Sequence, residues 1–269
     1  DTIAQKNLIA FAPEFKAKDE RLNLVFRQEF LSSLKYNRKE IKGISKWIKA
    51  DLLTNEDATK ENFLKLSPMY KIIHLATHGQ ANNKRGEYSF LAFSAANDSI
   101  ELLHASDLYN IDLPAELIVL SACETGVGEL KRGEGILSLA RGFSFAGVKS
   151  ILTTLWKVSD KKAASFMDFF YKNISEGLQK DEALRKAKIA YMANCSKREA
   201  APFYWASYIA MGDMDAIELF PEPEESFLLW YILSGLCIVG MALSFYLWRE
   251  KLVEISRRPV SSIAGWFRR

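Results

Sequence analysis

The sequence predicts an α/β fold: a three-layer α/β/α sandwich with a mostly parallel central sheet, plus one membrane-spanning helix near the C-terminus. Three observations carry this expectation. Short, continuously apolar runs recur along residues 7–212, as in strands buried on both faces. Segments of helical period separate most of them, which is what a parallel crossover needs. A stretch of 22 residues without a charge, 227–248, follows the globular part.

The elements are read in order. Residues 7–12, NLIAFA, form a buried strand. Residues 37–53 place apolar side chains at 41, 44, 47, 48, 52 and 53, a helix period, with Asn37 and Glu40 spaced as a capping box. KENFLKL, residues 60–66, is a short helix, and KIIHLAT (71–77) and YSFLAFS (88–94) are strands. ASDLYNI is a short helix opened by Ser106. ELIVLSA (116–122) is a strand, and residues 135–147 are a helix closed by Gly147. A strand at 149–156 precedes two amphipathic helices, 159–177 and 180–194, and WASYIAMG (205–212) is a last strand.

The span at 227–248 would be about 33 Å long as a helix, against a hydrocarbon core of about 30 Å. Trp230, Tyr231, Tyr246 and Trp248 lie near its ends, where interface aromatics sit. The expected organisation is a globular domain at 1–220, a linker at 221–226, the span, and a basic tail at 249–269. From Arg249 onward six basic and two acidic residues give +4, so the remainder of the +3 chain is near −1. By the positive-inside rule the tail faces the cytoplasm, in a single-pass membrane protein. The apolar and basic residues of the tail also suit a membrane surface. The near-neutral remainder argues against nucleic acid as a partner. The chain begins at Asp1 rather than Met, so it is read as a fragment or a processed form.

Cys123, Cys195 and Cys237 are odd in number and far apart, which excludes a disulfide framework and a zinc motif. His74 and His78 are four apart on a strand, about 13 Å, too far to share a metal easily. His74 is therefore read as packed in the sheet, and no metal or cofactor site is expected. GELKRGEG (128–135) lacks the Lys-Ser/Thr of a phosphate loop, and Cys195 sits at a polar helix end without a partner motif.

Ligands and catalytic groups of open α/β sheets gather beyond the carboxyl ends of the strands. His78 directly follows the 71–77 strand, and Cys123 directly follows the 116–122 strand. A thiol becomes a strong nucleophile beside a base, and histidine is suited to that role near neutral pH. Backbone N–H groups of Gly79 and Cys123 are placed to hold an oxyanion. The loop from Glu124 to Gly135 carries four glycines in the twelve positions after Cys123, so it is able to shape a cleft and to gate it.

The motifs HLATHG, VLSACETG, GEGILSLARGF and LWKVSD, in this order, closely resemble the CHAT domain of the caspase-like cysteine peptidases, which include separase, the caspases and the gingipains. FAPEF, DATKENF and YWASYIAMG extend the resemblance over most of residues 5–212. It implies a caspase-like sandwich and peptide-bond hydrolysis through an acyl-enzyme, with His78 and Cys123 as the dyad and His78 chiefly protonating the leaving amine. It also implies tetratricopeptide repeats upstream as a common companion, and a protein substrate. Asp160 in LWKVSD matches the acid that pairs with a substrate Arg in separases, so cleavage after a basic residue is one expectation. N-capping of the following helix is the other reading of Asp160. Glu124 is taken as a further substrate-binding residue. Two rival readings stay open: a non-catalytic adaptor that keeps the fold as a docking platform at the membrane, and an acyltransferase using the same thiol.

Overall fold

The computed structural model describes residues 4–15, 34–80, 82, 85–96, 99–124, 134–156, 158–221, 235–246 and 248–249, and the side chains of these except 122–124 and 134–138. The chain divides into two compact units, Asp1–Phe220 and Pro221–Arg269.

The first unit is built on one eight-stranded sheet. Its strands are β1 (Lys6–Ala12), β2 (Ala50–Thr54), β3 (Tyr70–Gln80), β4 (Phe90–Ser94), β5 (Ile100–His104), β6 (Leu117–Glu124), β7 (Ser150–Thr154) and β8 (Tyr208–Gly212). The main path runs β2-β1-β3-β6-β7-β8, with β4 joining the end of β3 and β5 pairing with β4. The β2/β1, β1/β3, β3/β6 and β6/β7 pairs are parallel; β3/β4, β4/β5 and β7/β8 are antiparallel. The sheet is thus mostly parallel, as the unbroken apolar runs predicted.

Strand side chains alternate between faces, and the core divides accordingly. Leu8, Ala10, Ala12, Ile72, Ala76, Leu117 and Val119 pack against α1 (Asn37–Ile44), α4 (Asp160–Ser175) and α5 (Lys180–Asn194). Ile9, Phe11, Ile73, Leu75, Ile118 and Leu120 pack under Phe63 of α2 (Lys60–Leu66) and under Leu139 and Phe143 of α3 (Glu134–Phe145). Along β1, β3 and β7 nearly every residue is buried, so these central strands show no polar alternation, whereas the edge strands β2 and β5 are partly exposed.

Several expectations change. The helix expected over 37–53 stops at Ile44, and residues 50–54 form β2 on the edge beside β1. The half-exposed Ala50–Thr54 reads as a helix tail by period but gains a backbone ladder as a strand, so tertiary pairing overrides the pattern. The capping box is absent: Tyr36 is the cap residue, with no side-chain cap bond. Asn37 and Glu40 are both buried, and both are spent on the core instead. Asn37 Nδ2 donates to Pro13 O at 2.9 Å, fastening α1 to the chain leaving β1. Strand β5 was not expected, and ASDLYNI condenses to a single 3-10 turn at Asp107–Asn110.

The expectation of a single-pass membrane protein spanning at 227–248 is corrected. Among the described residues no helix is long and apolar enough to cross a membrane. The flanks used for that reading, 222–234 and 251–269, lie outside the described residues.

Candidate active site

β3 and β6 are neighbours in the middle of the sheet, so their carboxyl ends open side by side. Their register runs evenly from Ile72↔Leu117 to Ala76↔Ser121, then slips, so that Gly79 pairs with Cys123 and Gln80 with Glu124. Three steps along β3 match two along β6: β3 carries one extra residue around Thr77 and His78. A bulge of this kind re-aims side chains and is frequent beside functional sites. Sequence reasoning ends the strand at residue 77; the ladder in fact continues three residues further, because β4 adds a second partner there, Gly79↔Leu91 and Gln80↔Phe90. Thr77 Oγ1 donates to Ala92 O and ties the bulge to β4.

His78 is 3 % exposed, and Phe15, itself 2 % exposed, lies over it with ring centroids 5.2 Å apart. Phe15 reaches that position because Pro13 ends β1 two residues earlier. The sequence analysis missed it; the FAPEF motif was the available signal.

Cys123 occupies the β6 rung paired with Gly79, one residue from His78 on the adjacent strand. Its side chain and that of Glu124 lie outside the described residues, as does the loop 125–133. Gly79, expected beyond a strand end, sits inside the ladder between β4 and β6. Asp160 is the first residue of α4 and is half-buried; the cap residue is Ser159, which makes no side-chain cap bond. The capping role expected for Asp160 therefore falls one residue earlier, and its carboxylate instead lies in the first turn, where the helix dipole favours an anion. α4 follows β7, the strand beside β6, so Asp160, His78 and the Cys123 rung belong to the same end of the sheet.

Four residues before His78 on β3, His74 is fully buried. Its Nε2 lies 3.0 Å from Glu40 Oε1 and its Nδ1 3.0 Å from the Tyr171 hydroxyl. One assignment satisfies every group: Nε2–H donates to the carboxylate, and Tyr171 O–H donates to Nδ1. Burial, then the nearby Glu40 charge, pushes the Tyr171 hydroxyl well above its ordinary value, so it stays a proton donor. This chain joins α1, β3 and α4 beneath the site. Asn37 Nδ2 adds a contact to Ala76 O, at the residue where the register begins to slip. His74 is thus packed in the sheet as expected, but the Glu40 and Tyr171 partners carried no sequence signal.

Among curated proteins, human tetratricopeptide repeat protein 28 is 30 % identical over 111 residues, 41 % of this chain and 4 % of that protein. The chain therefore spans only a small fraction of the relative it matches. Among solved structures, the Arg-specific cysteine proteinase gingipain R superposes with a TM-score of 0.48 and 9 % identity, over 78 % of this chain and 47 % of that one. Separase, in the Saccharomyces cerevisiae separase–securin complex, superposes with a TM-score of 0.44 and 15 % identity, over 78 % of this chain and 12 % of that one. The family model of the CHAT domain matches residues 3–213, most of the 269-residue chain. This protein belongs to the CHAT-domain family.

Proposed function

We propose that this CHAT domain is a cysteine endopeptidase using His78 and Cys123. The observation that carries the reading is the parallel register of β3 and β6, which pairs Gly79 with Cys123 and brings residue 78 beside that rung, at the strand separation of about 4.8 Å. In the proposed reaction the Cys123 thiolate adds to the scissile carbonyl, and the N–H groups of Gly79 and Cys123 hold the resulting oxyanion, worth about 3 kcal/mol per donor. His78 gives its proton to the leaving amine as the C–N bond breaks. Water then adds to the thioester and releases the acid and the free thiol. Asp160 and Glu124 provide acids on the same rim for a basic residue before the cut, and a partner regulates access to the cleft. A tetratricopeptide-repeat region, as in the human relative's name, is the proposed recruiter of that partner.

The test compares the wild-type chain with Cys123→Ala in a candidate proteome. Cleavage products present only with the wild type support the peptidase; products in both or in neither count against it. A second reading is favoured by the burial of His78 under Phe15: a non-catalytic docking domain, for which both proteins give the same peptide pattern. Stable acylation of Cys123 followed by transfer to an acceptor other than water would instead mark an acyltransferase.

A further inference from the structure

On the helix-covered face, α1, α4 and the end of α5 enclose an open groove of about 530 Å³, within the range of ligand sites. It starts where Asp168 accepts from Trp47 Nε1 at 3.0 Å and runs toward the first turns of α1 and α4. Both of those turns lie at the carboxyl-end rim of the sheet, since α1 is tied to the exit of β1 by Asn37 and α4 follows β7. The groove therefore opens at the end of the sandwich that carries His78.

Five lysines line it, Lys39, Lys42, Lys46, Lys161 and Lys162, against two acids, Asp168 and Glu199. The local balance is 5 − 2 = +3, in a chain whose residues before Arg249 sum to near −1. Lys162 is paired with Glu199. The ammonium groups of Lys39, Lys42, Lys46 and Lys161 meet no acid or hydrogen-bond acceptor among the described residues. Lys39 and Lys42 lie on α1 and Lys46 lies two residues past its end, so the three line one side of the groove.

A second observation is independent of these charges. Tyr191 lines the groove at 3 % exposure, and its buried hydroxyl has no hydrogen-bond partner. Burial first, then Cys195 and Glu199, pushes that hydroxyl up to about 12, so it stays protonated as a donor. An orphaned buried hydroxyl costs stability unless something fills its valence.

We propose that this groove docks an acidic stretch of polypeptide, with side-chain carboxylates on the lysine row and a backbone carbonyl on the Tyr191 hydroxyl. A row of separate ammonium groups suits charges strung along an extended chain better than one compact anion. Among the described residues no arginine lines it to fork onto a phosphate. Asp168 and Asn194 offer acceptors that a peptide N–H satisfies and a bare phosphate chain does not. Read with the proposed peptidase, the groove is an exosite for residues flanking the cut; that role rests on the peptidase reading, whereas the binding itself does not.

The experiment titrates the whole chain carrying Cys123→Ala into fluorescein-labelled hexaglutamate and follows polarisation. The expected result is saturable binding that weakens as salt rises from 50 to 300 mM. It falls about tenfold or more in Lys39→Glu/Lys42→Glu/Lys46→Glu, and is unchanged in Lys65→Glu, on the opposite face of the sheet. Tyr191→Phe loses affinity several-fold while its melting temperature holds or rises, which a merely structural tyrosine would not do. Equal affinity for the triple and Lys65 variants overturns the proposal. So does tighter binding of tripolyphosphate or oligo-dT, which would assign the lysines to a small anion or to nucleic acid. Since no turnover is measured, failure here leaves the Cys123 chemistry standing, and the reverse.

Discussion

Replacing Glu40 with alanine removes the acceptor 3.0 Å from His74 Nε2, at a site where both side chains are almost fully buried. Water cannot replace the lost carboxylate, so the Nε2–H is left without a partner in a low-dielectric interior. Leaving that buried donor unsatisfied costs about 1–3 kcal/mol. For a domain of this size each kcal/mol moves the midpoint by about 2–4 °C, so the melting temperature drops by about 2–12 °C. Glu40→Gln keeps an oxygen acceptor and loses only the charge assistance, for a cost of about 1 kcal/mol. Tyr171→Phe strips the donor to Nδ1 and costs about 1–2 kcal/mol. Thermal and urea denaturation of the three variants gives the order Glu40→Ala, then Tyr171→Phe and Glu40→Gln. Glu40→Ala within about 1 kcal/mol of wild type, or no better and no worse than Glu40→Gln, would refute the argument that this chain of bonds fastens α1 and α4 to β3.

Gly212 has φ +98°, and an added Cβ would lie 2.2 Å from Lys149 O, whereas Gly177 at φ +77° faces open space. Gly212→Ala therefore prises β8 from β7 and destabilises far more than Gly177→Ala, which costs about 1 kcal/mol; denaturant midpoints of the pair measure the gap. Phe15→Ala deletes a buried ring, at about 3–5 kcal/mol, and uncovers His78, so diethyl pyrocarbonate modifies His78 faster; an unchanged rate would show that Phe15 does not shield it. The Lys6 ammonium, 2.7 Å away, and then the Tyr70 hydroxyl hold the Asp51 carboxyl below its ordinary value. A depressed folded-state value means the gain exists above pH of about 4 and is lost as pH falls through the lower, folded value. Lys6→Met moves the Asp51 titration upward in carboxyl NMR and shrinks that acid-side loss.

Much of the sheet was legible because its strands are apolar on both faces: KIIHLAT and ELIVLSA admit no other buried element of that length. β2 was not, since ADLLT continues the period of the preceding helix and only its pairing with β1 makes it a strand. At the site, residue types and their place on the strands pointed to His78 and Cys123. The slip between Ala76 and Gly79 did not show, because a bulge depends on the partner strand rather than on local propensity. Glu40 was hidden by a plausible local role. A glutamate three residues after an asparagine reads as a cap, and only the three-dimensional approach of His74 shows where its charge is spent.

The central claim is that Cys123 is a nucleophile served by His78, and covalent trapping addresses it most directly. A peptidyl acyloxymethyl ketone with arginine next to the warhead is incubated with the intact chain, together with any regulatory partner, and the adduct is mapped by mass spectrometry. The account predicts one adduct, on Cys123, formed much more slowly by His78→Ala. Equal labelling of Cys195 or Cys237, or a rate at Cys123 indifferent to His78, would contradict it.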